Sequence, residues 1–262
     1  MTVPAAAPMV AVDVGNSRMK FGLFECAPAE GLPAPCRTLD LPALGADLAA
    51  VSAWALPRQV SEIAWYVGSV HRAASTRLVD WLQSHNTQPP ITLLASIDLP
   101  LVVSLERPDM VGIDRLLDGV AANMLRERGR AAVVIDLGTA ITVDLLSEDG
   151  TFLGGAILPG IGMSARALHE FTDLLPLIDM TALAAPPPAL GMATREALCS
   201  GLYWGAVGGV RELIGRLTAG RDRPPQVFLS GGAAASVAGL LSDEGVYVPH
   251  LTLSGIALAA WR

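Results

Sequence analysis

Residues 9–24 read MVAVDVGNSRMKFGLF, and residues 131–146 read AAVVIDLGTAITVDLL. Each stretch opens on an apolar run, breaks at Asp-x-Gly followed by small polar residues, and resumes as a second apolar run. The breaks are Asp13-Val14-Gly15-Asn16-Ser17 and Asp136-Leu137-Gly138-Thr139-Ala140, 123 residues apart in a chain of 262. Runs of Val, Ile and Leu bounded by turn residues read as strands. Two strand–turn–strand units at equivalent points of the two halves predict an internal duplication of one α/β domain.

Outward from the first turn, strands are expected at Met9–Val12, Lys20–Glu25, Arg37–Leu41, Ile63–Val67, Ile91–Leu94 and Leu101–Leu105. Helices are expected near Leu44–Ala55, His71–His85 and Asp114–Arg128. In the last, Leu116, Leu117, Val120, Ala121, Met124 and Leu125 recur at helical spacing. Outward from the second turn, strands are expected at Ala131–Ile135, Ile141–Leu146 and Thr151–Ile157, the last two joined by the hairpin signal Glu148-Asp149-Gly150. A helix at Gly162–Phe171, a proline-rich loop at Ala184–Ala189 and a long helix at Thr194–Leu217 follow. A strand at Val227–Leu229, a helix after Gly232, a short strand at Val246–Val248 and a terminal helix from Ser254 complete the pattern. The expected domains are 1–129, with the first turn, and 130–262, with the second turn.

The AVILMFWYC class makes up 52% of residues and DEKR 16%. That is too apolar for a disordered chain and rich enough for a core without disulfides. Net charge is −7, the only lysine is Lys20, and no basic run occurs, which argues against nucleic acid as a partner. The longest uncharged stretch, Pro224–Ser242, opens on Pro-Pro and contains Gln226 and Gly231-Gly232, so no membrane span is expected. Met1–Val12 lacks a basic n-region and makes a poor signal peptide. Cys26, Cys36 and Cys199 form no CxxC, and the four histidines are scattered. A cytoplasmic, reducing setting is expected.

In an Asp-x-Gly-polar turn, glycine lets backbone approach a phosphate, and turn N–H groups point at the anion. Asn16, Ser17 and Thr139 add side-chain donors. Asp13 and Asp136 can hold an accompanying cation, or simply form Asx-turns at strand ends. Ser230-Gly231-Gly232 lets a flat ring lie against backbone at a helix start, or is a tight strand-to-helix turn. Asp114, in Gly112-Ile113-Asp114-Arg115, is either a helix N-cap or a carboxylate placed to accept a hydroxyl proton beside an arginine. Thr194 carries the same ambiguity. Alternation places Lys20 opposite Met19 and Phe21, as a solvated strand lysine. Gly201, Gly205, Gly208 and Gly209 form a costly strip along one helix, which suggests close packing against another element or a second subunit.

These residues, with Thr142-x-Asp144, Pro159-Gly160-Ile161, Leu175-Pro176 and Ser200-Gly201-Leu202 in order, resemble the type III pantothenate kinases, the family that includes the Bvg accessory factors. The resemblance implies duplicated actin-like, ribonuclease H-like domains of the acetate and sugar kinase superfamily. It implies ATP-dependent phosphorylation of pantothenate to 4'-phosphopantothenate, the first step of coenzyme A biosynthesis, with magnesium and a monovalent cation, potassium or ammonium. It assigns Asp13, Val14, Gly15, Asn16, Ser17, Arg18, Met19, Lys20 and Thr139 to ATP, Asp136 to the monovalent cation, and an adenosine-side loop to the second domain. Gly112, Ile113, Asp114 and Arg115 fall to pantothenate, with Asp114 as proton acceptor. Thr194 falls to the pantothenate site of the partner in a cytoplasmic homodimer. One departure stands out: the family usually carries Tyr-x-x-Pro where this chain has Leu105-Glu106-Arg107-Pro108. The alternative function is a catalytically silent or altered-substrate member serving as a binding or regulatory module, and Leu105 is its only support.

Overall fold

The structure is a computed structural model and describes residues 8–85, 90–232, 237, 241 and 245–261. The first sheet contains β1 (Met9–Val14), β2 (Arg18–Phe24), β3 (Arg37–Pro42), β4 (Ala64–Ser69) and β5 (Ile91–Leu93), in the order β3-β2-β1-β4-β5. Helices α1 (Ala49–Ala55), α2 (Arg72–His85) and α3 (Ile113–Leu125) accompany it. The second sheet contains β6 (Ala132–Leu137), β7 (Ala140–Leu146), β8 (Phe152–Pro159), β9 (Gln226–Ser230) and β10 (Val246–Tyr247), in the order β10-β9-β6-β7-β8. Helices α4 (Ile161–Glu170), α5 (Thr194–Leu217) and α6 (Leu251–Ala260) follow in the second half of the chain.

The two sheets repeat one plan. In each, the first strand pairs antiparallel with the second, the second antiparallel with the third, and the first parallel with the fourth. Alternation along β1 and β2 sends Val10, Val12, Val14, Met19, Phe21 and Leu23 into a core with Val51, Ala74, Leu78 and Leu82 of α1 and α2. In the second sheet Val133, Ile135, Val143 and Leu145 meet Leu202, Tyr203, Val207 and Val210 of α5. Both faces of β1 are buried, which explains its unbroken apolar run.

Contacts divide the chain into two compact units. One runs to Leu125 and resumes from His250; the other is Arg126–Pro249. The expected boundary at 129/130 assigns the last thirteen residues differently: they lie with the first unit, because α6 packs on α3, β1, β2 and β4. Helix α6 is apolar nearly all round and starts at Leu251, a turn earlier than expected. Gly255 makes its packing possible, since a Cβ there would lie 2.1 Å from the Leu117 carbonyl oxygen. Thr252 Oγ1 donates to the buried Asp118 of α3 at 2.7 Å. Gly255→Ala forces the two helices apart, and its expected cost is about 1–3 kcal/mol. A melting temperature equal to that of the unsubstituted protein contradicts this packing.

Two other expectations need correction. Residues 101–105 form no strand beyond an isolated bridge at Val103, and Val102 is largely exposed. Among the described residues that run extends into no ladder, so its apolar pattern joins neither sheet. The first helix begins at Ala49 and not near Leu44. The helix expected after Gly232 falls largely outside the described residues.

Candidate active site

The first unit carries one turn. Asp13 is the penultimate residue of β1, 7% exposed, and pairs in register with Lys20 on β2 and Gly68 on β4. Lys20 Nζ lies 3.6 Å from Asp13 Oδ2. Met19 and Phe21 point into the core, so Lys20 faces away from them as alternation requires. It is tied to a buried carboxylate and is only about one-third exposed, at 35%. The reading as a merely solvated strand lysine is therefore corrected. Between the strands the Gly15 N–H donates to the Arg18 carbonyl at 2.9 Å, and Asn16, Ser17 and Arg18 are exposed. The turn presents donors to solvent while its ends are held in the sheet.

At the same unit's α3, the carbonyl of Gly112 accepts from Arg115 N–H at 3.1 Å. Gly112 is thus the capping position, and Asp114 is the second helical residue. The N-cap reading of Asp114 is set aside. Its Oδ1 instead accepts from the Arg115 N–H at 2.9 Å. The carboxylate folds back over Gly112, where a Cβ would come within 2.5 Å of Oδ1. Burial pushes the Asp114 carboxyl above the ordinary aspartate range. The Arg115 N–H, the Arg115 charge and, more weakly, Lys20 pull it back. A desolvated carboxylate kept within reach of two cations suits proton transfer better than a solvated surface aspartate. Ile113 is buried, with its Cγ2 against Gly68 of β4, so it anchors the helix start.

The second unit carries the other turn. Asp136 is the penultimate residue of β6 and pairs with Thr142 and Ser230. The Gly138 N–H donates to the Ala140 carbonyl at 3.1 Å. This turn is one residue shorter than the first, because Leu137 pairs with Ile141 whereas Val14 pairs with Met19. Two glycines outside the turn shape it. A Cβ on Gly231, which has φ +95°, would come 2.5 Å from Asp136 Oδ1 and 2.6 Å from the Leu137 carbonyl oxygen. A Cβ on Gly160 would come 2.3 Å from the Thr139 carbonyl oxygen and 2.5 Å from that of Gly138. Backbone therefore closes directly on the turn from β8 and β9. A half-buried carboxylate among backbone carbonyls has the hard oxygen chemistry that a weakly charged cation needs. Among the described residues, no group of three or more His, Cys, Asp or Glu side chains gathers as a metal centre.

Each unit thus brings together its own predicted residues: Asp13 with Lys20, and Asp136 with the 138–139 turn and Gly231. Thr194 is the exposed first residue of α5, with Ala193 at the cap position, so it is not an N-cap. Leu105 is half-buried in the irregular segment before Gly112. Sequence reasoning missed the Lys20–Asp13 pair and the closeness of Gly160 and Gly231 to the second turn. The Pro159-Gly160 and Gly231-Gly232 pairs were the available signals.

The family model for type III pantothenate kinase matches residues 9–216. A type III pantothenate kinase of Dehalococcoides mccartyi is 32% identical over 95% of this chain and 96% of its own length. A Campylobacter jejuni structure described as a Baf family transcriptional activator is 18% identical, with TM-score 0.62 over 97% of this chain and 98% of that one. A ParM filament subunit from Clostridium botulinum is 9% identical, with TM-score 0.54 over 98% of this chain and 99% of that one. The two structural likenesses speak for the fold: duplicated actin-like domains.

Proposed function

This chain belongs to the type III pantothenate kinase family, and from that we propose a role for each part of its site. It phosphorylates pantothenate with ATP and a divalent metal, at the entry to coenzyme A biosynthesis. The observation that carries the residue assignment is Asp114: a half-buried, partly desolvated carboxylate of raised pKa at a helix start, beside Arg115 and within the field of Lys20. The primary hydroxyl oxygen of pantothenate attacks the γ-phosphorus of ATP. Its proton passes to the Asp114 carboxylate, and the bond from phosphorus to the β–γ bridging oxygen breaks to leave ADP. The Asp13–Lys20 turn and Thr139 hold phosphates through backbone and hydroxyl donors, and the Ser230-Gly231-Gly232 turn lies on the adenosine side. Arg115, Gly112 and the Ile113 backbone bind pantothenate. Magnesium, when bound, neutralises charge on the transferring phosphoryl group. Asp136, with the backbone carbonyls near it, would hold potassium or ammonium.

No observation favours the catalytically silent alternative. Leu105 removes one phenolic donor but leaves an aliphatic wall, a change that falls on affinity. Phosphorus NMR of the reaction mixture tests the assignment of product. A new phosphomonoester on the primary carbon is expected, and its absence overturns the reading.

We further propose a cytoplasmic homodimer in which Thr194 completes the partner's pantothenate site. Among the described residues, Gly201, Gly205 and Gly208 of α5 have nothing within 4 Å of a would-be Cβ, so no described element packs on that strip, while a Cβ on Gly209 would meet Leu158. The adjoining cavity of about 300 Å³ is lined by Leu158, Ile161, Leu168, Leu198 and Leu202 with Ser164. Phe171, Leu174 and Met192 are each more than four-fifths exposed, at 84%, 86% and 84%. A second copy would cover such apolar surface. Light scattering at micromolar concentration is expected to give a dimer, and Leu174→Glu a monomer of weakened activity. A fully active monomeric parent protein contradicts the shared site.

A further inference from the structure

Arg77 lies on α2, on the far side of the first sheet's core from α3, and the mechanism makes no use of it. Its neighbours Ala74, Leu78 and Leu82 are fully buried against that core, which fixes the base of the side chain. Its guanidinium does not turn to solvent. Nη1 donates to the Ala46 carbonyl at 3.1 Å and Nη2 to the Ala43 carbonyl at 3.4 Å. Nε is buried and, among the described residues, has no partner. A half-buried guanidinium whose buried Nε lacks a partner among the described residues is costly, and the two hydrogen bonds that it makes go to a single segment, the connection after β3.

That connection touches the first phosphate turn. The Ala43 N–H donates to the Ser17 carbonyl at 3.0 Å, and β3 pairs with β2 up to Pro42 opposite Arg18. Inside the turn, the Gly15 N–H to Arg18 carbonyl bond ties the backbone across its exposed residues. Ala43 is therefore held from two sides. Its carbonyl takes a charged donor from Arg77, and its N–H fixes the peptide that follows Ser17. A turn that binds phosphate through backbone N–H groups depends on where those peptides point. We propose that Arg77 is a positioning residue for ATP, which keeps the Asp13–Lys20 turn in its phosphate-binding shape through Ala43. This rests on the reading of that turn as an ATP-phosphate loop.

The test separates the KM for ATP from the other constants. Arg77→Met keeps the stem and removes every donor; Arg77→Lys restores one. Arg77→Met is expected to raise the KM for ATP by about tenfold and Arg77→Lys by about threefold, as for loss of hydrogen bonds to a positioned loop. The KM for pantothenate and kcat should stay within about twofold. An unchanged KM for ATP overturns the proposal. So does a parallel rise in both KM values with a falling melting temperature, which marks general loosening. Should Arg77→Met fail to fold, the split in Arg77→Lys decides. Asn16→Ala, in the turn itself, is the control. If it leaves the KM for ATP unchanged, the reading of the turn falls; if it raises that KM while the Arg77 variants do not, only the role of Arg77 falls.

Discussion

Asp114→Asn lowers kcat by about two orders of magnitude or more, as expected for removal of a general base, while ATP still binds. Asparagine matches the shape of the carboxylate and can still lie over Gly112, where a Cβ would approach Oδ1 within 2.5 Å. It cannot take the hydroxyl proton. The substitution should not lower the melting temperature. Folding raises the pKa of Asp114 by burial, so the folded state holds that proton more tightly than the unfolded chain. The resulting stabilisation is fully present below the ordinary aspartate pKa and is lost as pH rises through the raised value. At neutral pH the ionised, desolvated group is a net cost that asparagine relieves. In the unsubstituted enzyme, activity should fall as pH drops through that raised pKa, at higher pH than a solvated aspartate gives. A variant of near-normal turnover removes Asp114 from the mechanism. A variant that is inactive because it has unfolded leaves the chemistry to Asp114→Glu, which restores a carboxylate and should recover part of kcat.

Asp136→Ala should abolish stimulation by potassium or ammonium and cut kcat at saturating potassium by about tenfold or more. The carboxylate lies against two glycines, one of which, Gly231, leaves no room for a Cβ. One on Gly231 would lie 2.5 Å from Oδ1, and one on Gly138 would lie 3.1 Å from Oδ2. Backbone thus approaches the carboxylate from β9 and from its own turn, and alanine leaves only carbonyl dipoles where a full charge stood. Folding should survive, because the β6 partners on either side of Asp136 stay in register. Rates of the unsubstituted protein that ignore potassium and ammonium contradict the assignment of Asp136. So does a variant that keeps its cation response.

The doubled turn was legible because its signal is local. An apolar run that ends in Asp-x-Gly must turn, and the same string at Asp13 and Asp136 marks two copies of one plan. The long helix Thr194–Leu217 was equally legible, since no proline interrupts the run and that needs no knowledge of its neighbours. What escaped depends on contacts between distant segments. Residues 101–105 look like a strand but make only an isolated bridge at Val103, and α6 carries no mark of which unit it will join. Gly160 and Gly231 are ordinary turn glycines until the sheet brings them onto Asp136 and Thr139. Lys20 reads as a solvated lysine until Asp13 is placed opposite it. The glycine strip of α5 reads as a close-packing surface, and the described residues leave Gly201, Gly205 and Gly208 open.

The most direct measurement is ADP release by the purified protein with ATP and magnesium, with and without pantothenate, in potassium and in its absence. Release that requires pantothenate and rises with potassium is the predicted result, with the substitution at Leu105 felt as a raised KM for pantothenate. Protein that binds ATP yet releases no ADP with millimolar pantothenate would contradict the account.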